Sequence, residues 1–552
     1  MASRTTRAFA VTLASPALRR AQLSFGAAWA SEWAVTVGIG VFAFNAGGAA
    51  AVGIVGLIRM VPAAIVAPFA ATLADRTRRE QVLIAVGLCR AVALALAAVL
   101  AALDVGAVVV YALIAVATIA QTLFRPAHSA LLPSLCSTPY ELTSANVVRG
   151  LLDSLATLVG PIAAAALIAV SGPAAVFAAG AAVSFASALL VLALDYEVPP
   201  SITSSTAHRG REVLEGLRTI AVDRDVRLLT ALTTLQTFLR GCLTVFTVVV
   251  AIDLLRRSDA DVGVLNAAVG VGAVAGSLLA SAVVGTGGLA RIFGLGVALW
   301  GAPLAALALV PSRAAALIFL AVVGLGNALV DVGNFTLLAR LSDDRVMARV
   351  FAGFEAVITL GVAIGAAVTP VVIDAFGVRG ALATLGLLAP AAVILAAPKL
   401  LALDRRMVAR NRDVHALQRV PMLRPLPATT VDSLASALET MTVDPGATVF
   451  EQGQAGDRYY VIVDGQADVV QGDRPIARLR SGEGFGEIAL LRACARTATV
   501  RAAGEGPLRL ASLARDRFLA AVTGYSPSSQ AGESVVAQRL EADRARDLKP
   551  NH

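Results

Sequence analysis

The sequence predicts an all-α membrane protein of twelve helices in two sets of six, followed by a small β-roll with flanking helices. Three observations carry this expectation. The 552-residue chain is 57% apolar and only 15% charged, with a mean hydropathy of +0.76, a balance that belongs to membrane proteins rather than to globular ones. Its charge-poor runs reach the roughly 20 residues that a hydrocarbon core of about 30 Å requires of a helix. From about residue 443 the pattern changes to alternating apolar residues punctuated by tight turns, which is the signature of short strands.

Charge-poor runs set against Gly, Pro and charge breaks place the spans at approximately 21–44, 49–71, 81–103, 106–124, 142–170, 172–194, 227–254, 262–285, 291–311, 313–338, 349–375 and 378–398. Residues 154–194 hold no charge, so only Ser171-Gly172-Pro173 marks a turn within them. The longest polar segment between spans, 195–226, divides the helices six and six. The expected organisation is therefore a first six-helix half over 1–200, a central loop over 201–226 and a second half over 227–400. A linker over 401–420, a β-roll domain over 421–525 and a polar tail over 526–552 follow.

Charge placement orients this arrangement. Lys and Arg in the short loops favour one side by about five to one, through Arg4, Arg7, Arg76, Arg79, Arg125, Arg291, Arg345, Arg405 and the arginines of the central loop. By the positive-inside rule both termini then lie in the cytoplasm. Residues 421–552 carry a net charge of −1 and residues 1–420 a net of +9, so the basic excess belongs to the membrane part and implies no nucleic-acid partner. The four cysteines, Cys89, Cys136, Cys242 and Cys494, lack metal spacing and read as reduced packing residues. The first apolar stretch continues as a full span, so no cleaved leader is expected. His128, His208, His415 and His552 are scattered and no nucleophile–base set is visible, which disfavours an enzyme.

Two six-helix halves joined by a basic loop suggest the major facilitator architecture, and the residues add to it. Between the second and third spans, ATLADRTRRE (71–80) resembles that family's GxxxDRxGRR loop, with Ala71 and Arg78 where glycines are usual. The resemblance makes Asp75, Arg76 and Arg79 a cytoplasmic gate. Residues 124–167, FRPAHSALLPSLCSTPYELTSANVVRGLLDSLATLVGPIAAAAL, are similar to the exporter branch that includes siderophore and macrolide efflux carriers. Gly160 and Pro161 there resemble the antiporter motif of the fifth span, where small residues allow close helix packing and Pro bends the helix. The segment 343–370 repeats family-like features in the second half. The resemblance implies a secondary transporter, an exporter in a bacterial cytoplasmic (inner) membrane.

Ionisable residues inside spans are costly, about 2.5–3.5 kcal/mol each on insertion scales, so each invites a functional reading. Glu32 in the middle of the first span reads as a lone carboxylate able to take up and release a proton. Arg149 and Asp153, four apart, share a helix face and would neutralise one another. Asp331 and Glu355 are further candidate proton or substrate groups, and Arg59, Arg90 and Arg240 could meet an anionic substrate or pair with these acids.

The segment GFGEIALLRACARTATV (484–500) carries the most explicit chemistry. A glycine turn opens a short helix; Glu487 behind it can accept from a ribose hydroxyl, and Arg496 offers a planar fork for a phosphate. Ala498 is small, and Thr497 and Thr499 carry hydroxyls, so the backbone can approach a ligand. Upstream, 443–470 has Pro445-Gly446, Gly453, Gly456-Asp457 and Asp464-Gly465 between short apolar runs. Together, PGxxxFxQGxxGDxxYxIxxG, FGEIALL and RTATV resemble the cyclic-nucleotide-binding domain family over about 421–523. The resemblance implies a pocket of Gly486, Glu487, Ile488, Ala489, Arg496, Thr497 and Ala498 for cAMP or cGMP, with cAMP favoured. Three readings stay open: a transporter regulated by nucleotide, a transceptor without net transport, and a transporter with a β-roll that binds nothing.

Overall fold

A computed structural model of the chain describes residues 15–76, 78–136, 139–192, 194, 218–283, 288–341, 347–426, 428–472, 474–524 and 526–547. The chain divides into two compact units, Met1–Leu401 and Ala402–His552.

The first unit is helical. Its elements are α1 (Pro16–Arg76), α2 (Arg79–Ala102), α3 (Ala107–Leu135), α4 (Pro139–Leu192) and α5 (Arg224–Val249), which ends in a π-turn over Val250–Leu254. Then come α6 (Asp259–Val283), α7 (Leu289–Leu309), α8 (Arg313–Leu341) and α9 (Met347–Arg419), the last of which crosses into the second unit. Among the described residues nine helices are long and apolar enough to cross a membrane, where the sequence predicts twelve separate spans. Three of the nine are interrupted at expected span boundaries: α1 at Gly47–Gly48, α4 at Gly172 and α9 at Gly377. Gly48, Gly172 and Gly377 have φ of 63°, 74° and 69° with ψ near ±180°. That region is essentially closed to residues bearing a Cβ. A Cβ at any of the three would meet nothing within 4 Å, so backbone conformation rather than space demands glycine there. Each break is so short that no polar segment separates the two limbs.

Other boundaries also differ from expectation. In place of a linker over 401–420, α9 continues as helix to Arg419. The central loop lies outside the described residues up to 217. Asp223 then caps α5 by accepting from the backbone N–H of Asp225 at 2.8 Å and of Val226 at 2.9 Å.

The two halves of this unit touch through small residues. A Cβ on Gly53 of α1 would lie 2.8 Å from the Ala366 carbonyl and 2.7 Å from Pro370 Cγ, both on α9. One on Gly263 of α6 would lie 2.6 Å from the Pro161 carbonyl of α4. Gly160 brings α4 against α1, where a Cβ would meet the Ala30 carbonyl at 2.5 Å. Asn45 donates to Asp259 at 2.8 Å, joining α1 to α6.

The second unit holds α10 (Ala428–Ser436) and eight antiparallel strands. These are β1 (Glu439–Val443), β2 (Thr448–Phe450), β3 (Arg458–Asp464), β4 (Gln466–Gln471), β5 (Arg474–Arg480), β6 (Gly484–Phe485), β7 (Thr499–Ala503) and β8 (Leu508–Ala514). They form two four-stranded sheets, in the orders β1-β8-β3-β6 and β2-β7-β4-β5. Between β6 and β7 sits the single turn α11 (Glu487–Leu491), and α12 (Arg515–Thr523) and α13 (Ser526–Asp547) close the unit. The expected polar tail is thus largely the helix α13.

Alternation along β3 explains the two cores of this unit, since neighbouring strand residues point to opposite faces. Tyr460 and Ile462 join Phe450, Phe485 and Val500 between the sheets. Tyr459 and Val461 join Leu417, Val420, Leu423, Leu490 and Phe518 under the helices. Tyr459 is fully buried, stacks on Phe518 at 4.4 Å and leaves its hydroxyl without a partner. Burial pushes its pKa above the ordinary tyrosine value. The folded state then disfavours the phenolate, so this contribution to stability is fully present below the unfolded pKa of about 10 and is lost as pH rises above it. A 402–552 fragment should therefore lose thermal stability above about pH 10, and Tyr459→Phe should flatten that alkaline decline in a melting-temperature series.

Candidate functional site

The pocket that gathers the motif residues lies in the second unit. It has an empty volume of about 740 Å³ and is lined by Gly486, Glu487, Ile488, Ala489, Arg496, Thr497 and Ala498. Phe450, Val469, Leu479, Phe485 and Arg539 complete its walls.

Gly486 is fixed by two independent constraints. Its φ is 91°, and a Cβ there would lie 2.6 Å from Arg496 Nη1. The turn it makes places Glu487 at the start of α11 with its side chain fully buried. Glu487 Oε1 accepts from Arg539 Nη1 at 2.7 Å, while Oε2 has no partner. Arg539 also donates through Nη2 to the Gly484 carbonyl at 2.9 Å. The guanidinium is thus held by both ends of the glycine turn.

Arg496 is nearly as deeply placed, with 3% of its surface exposed. Its Nη1 donates to the Gly486 carbonyl at 3.0 Å and its Nη2 to the Arg458 carbonyl at 2.7 Å. Its Cζ sits 4.1 Å above the centre of the Phe450 ring and 5.7 Å from that of Tyr460, a cation–π geometry. Burial lowers its pKa from the usual guanidinium value, against which Tyr460 and Asp457 act. Arg496 thus has a structural role as well: it ties two carbonyls together and rests on an aromatic platform. Its Nε is buried without a partner, so one donor is still unmet. Thr499 is otherwise engaged, accepting from the Gln452 backbone N–H at 3.0 Å.

Sequence reasoning missed Arg539, 52 residues beyond the carboxylate it meets. A signal was present in Val535, Val536 and Leu540, spaced as one apolar face of a helix among good helix formers. In α13 Val536 is 1% exposed, and Ala531 and Val535 pack against the core under the helices.

In the membrane unit, Glu32 is not the lone carboxylate expected. Its Oε1 is 3.0 Å from Arg59 Nη2 and its Oε2 is 2.7 Å from Arg90 Nη1. Arg59 further donates to Thr118 at 3.0 Å and Thr36 at 3.2 Å, and Arg90 to the Ala117 carbonyl at 3.1 Å. The two arginines are 4% and 1% exposed. Partners on three different limbs of the fold are invisible to a reading along one helix. Arg149 and Asp153 make no direct salt bridge with each other among the described residues, although the charge of Asp153 still acts on Arg149: Arg149 donates to Ser129, and Asp153 faces Arg125 at 3.4 Å. Neighbouring helix α3 offers closer partners than the same face of α4. Asp331 accepts from Asn327 at 3.0 Å. Neither it nor Glu355 forms an ion pair among the described residues. The side chains of Asp75 and Arg76 lie outside the described residues, and Arg79 opens α2.

Comparison with known proteins agrees with the division into two units. The family described as Major Facilitator Superfamily matches residues 9–256 and 229–450, and the family described as Cyclic nucleotide-binding domain matches residues 440–525. A cAMP-dependent protein kinase regulatory subunit from Yarrowia lipolytica is 38% identical over 104 residues, 18% of this chain and 27% of the relative. A cGMP-dependent protein kinase from Eimeria tenella is 28% identical over 127 residues, 20% of this chain and 13% of the relative. The chain spans about a quarter of the first relative's length and less of the second's. Among solved structures, a point mutant of the nucleoside transporter NupG superimposes with a TM-score of 0.58 at 15% identity, covering 70% of this chain and 99% of that one. That likeness is one of fold.

Breaking the Glu32 trio should be expensive. Glu32→Gln leaves two buried guanidiniums without a counter-charge, a change worth about 3–5 kcal/mol for a buried pair. Detergent-solubilised Glu32→Gln protein should melt well below the unaltered protein, whereas Asp331→Asn should melt close to it.

Proposed function

Because this multi-pass membrane protein belongs to the Major Facilitator Superfamily and carries a cyclic nucleotide-binding domain at its C-terminal end, we propose that it is a secondary active exporter of a small amphipathic molecule. Its transport is set by cytoplasmic cyclic nucleotide. It resides in a bacterial cytoplasmic membrane with both termini inside, as the arginine asymmetry of the loops favours. The export direction rests on the likeness of residues 124–167 to the siderophore and macrolide efflux branch. Proton coupling is assigned to Asp331 and Glu355, since Glu32 has both oxygens committed to arginines. A proton carrier needs a carboxylate that can exist in either form.

One observation carries the regulatory reading. Within a single pocket, Glu487 has one oxygen bound to Arg539 and the other unpartnered, while Arg496 Nε is an unmet donor. A ribose hydroxyl donating to Oε2 and a cyclic phosphate accepting from Arg496 would satisfy both. The resemblance to cAMP- and cGMP-dependent kinases supports the ligand class, and cAMP is favoured. Because ligand and α13 then share one carboxylate, nucleotide binding alters how firmly α13 is held. The resulting bias on the transporter cannot exceed the nucleotide's differential affinity for its states.

Titration of the 402–552 fragment with cAMP, cGMP and 2′-deoxy-cAMP tests this. Arg496→Lys keeps the charge but loses the Nε donor and the two carbonyl bonds that set the guanidinium plane, so affinity should fall at least about tenfold, a change of about 1.4 kcal/mol. Glu487→Ala should weaken binding and shrink the discrimination against the 2′-deoxy nucleotide. Arg539→Ala should leave binding measurable while raising amide hydrogen exchange across 526–547. A folded fragment that binds neither nucleotide at millimolar concentration would sink the regulatory reading.

A further inference from the structure

The membrane unit encloses a cavity that no motif predicts. Its empty volume, space open to solvent included, is about 760 Å³, and both halves contribute walls: Trp33, Thr36 and Thr157 from the first, Arg240, Asn266 and Trp300 among those from the second. Aliphatic side chains of Val37, Leu243, Val248, Val262 and Val269 fill much of the remaining surface. Only one lining residue is charged, and it is a cation, Arg240.

Arg240 is exposed to this space rather than packed away. Its guanidinium lies 5.6 Å from the centre of the Trp33 ring and makes no hydrogen bond or ion pair among the described residues. The carboxylates whose charge reaches Arg240 are Asp331, one helical turn beyond Asn327 and accepting from it at 3.0 Å, and Glu355; neither lines the cavity. The opposite wall adds no negative charge. Thr36 accepts from Arg59, which with Arg90 sets two buried cations against the single Glu32. A second observation points independently to a ligand: Trp300 is 2% exposed, and its indole N–H is buried with no acceptor. A cation with no hydrogen-bonded partner and an unmet donor on residues of one lining both suit an acceptor bearing negative charge. Two indole rings in the walls suit a flat apolar body beside it.

We propose that this cavity is the substrate site and that it takes a small organic anion with a flat, apolar ring. Arg240 holds the anionic group, Trp33 lies beneath the guanidinium and the ring, and Trp300 donates to the anion or to an oxygen next to it. The assignment rests on the reading of this chain as a transporter and specifies what that transporter carries.

The test uses the full-length protein in a non-ionic detergent and three isosteric probes: 1-naphthoate, 1-naphthylmethylamine and 1-naphthylmethanol, each followed by equilibrium dialysis. Naphthoate should bind at least tenfold more tightly than the amine and more tightly than the alcohol. Arg240→Gln should remove that preference, Arg240→Lys should retain part of it, and Trp300→Phe should weaken naphthoate more than the alcohol. Equal or tighter binding of the amine, or an unchanged preference in Arg240→Gln, overturns the proposal. Proteoliposome flux separates it from the transport reading. Naphthoate that binds through Arg240 but is not moved leaves the anion site standing and removes the transport reading. Movement of the amine in preference to naphthoate overturns the anion site.

Discussion

A carboxylate withdrawn from water must be met by cations or donors, because an unpaired buried charge costs more than most other defects. Each unit of this protein is organised around one such group. Glu32 in the membrane unit has an arginine on each oxygen, and those arginines reach α3 through Thr118 and the Ala117 carbonyl. The first limb of α1, its second limb, α2 and α3 are thereby cross-linked within the apolar interior. Glu487 in the second unit is more deeply buried, yet only half met. Its one committed oxygen fastens α13, and its other is buried without a partner. The first constellation is closed and braces the helices; the second leaves one acceptor unmet.

The same contrast separates the arginines. Arg59 and Arg90 are committed to Glu32, whereas Arg240 projects into a cavity with an indole ring beneath it. Arg496 lies between these cases. It stacks on Phe450 and holds two backbone carbonyls, yet keeps an unmet Nε. Preorganisation of this kind lowers what a ligand must spend on ordering the site, because the guanidinium plane is already set before any phosphate arrives.

Much of this was legible in the sequence where the deciding physics is local. Gly48, Gly172 and Gly377 break helices because only glycine adopts their backbone geometry, and the breaks fall where charge-poor runs were divided. Gly486 and the residues after it line one pocket because a tight turn and a short helix place them there. What local pattern could not supply was partnership across the chain. Asp153 meets Arg125 on α3 rather than Arg149 on its own face, since a neighbouring helix offers a closer cation. Glu32 draws partners from 27 and 58 residues away, and Glu487 from 52. The helical tail was hidden because its apolar stripe is short, and what holds α13 is its packing on α12 and the core under the helices.

The most direct test of the central claim couples the two units in one measurement. Full-length protein reconstituted into proteoliposomes would be assayed for initial rates of 1-naphthoate movement while cAMP is varied on the side bearing the second unit. The account predicts a rate that changes with cAMP at the same midpoint as nucleotide binding, with both midpoints displaced together in Glu487→Ala. Saturating cAMP binding with an unaltered transport rate would contradict it.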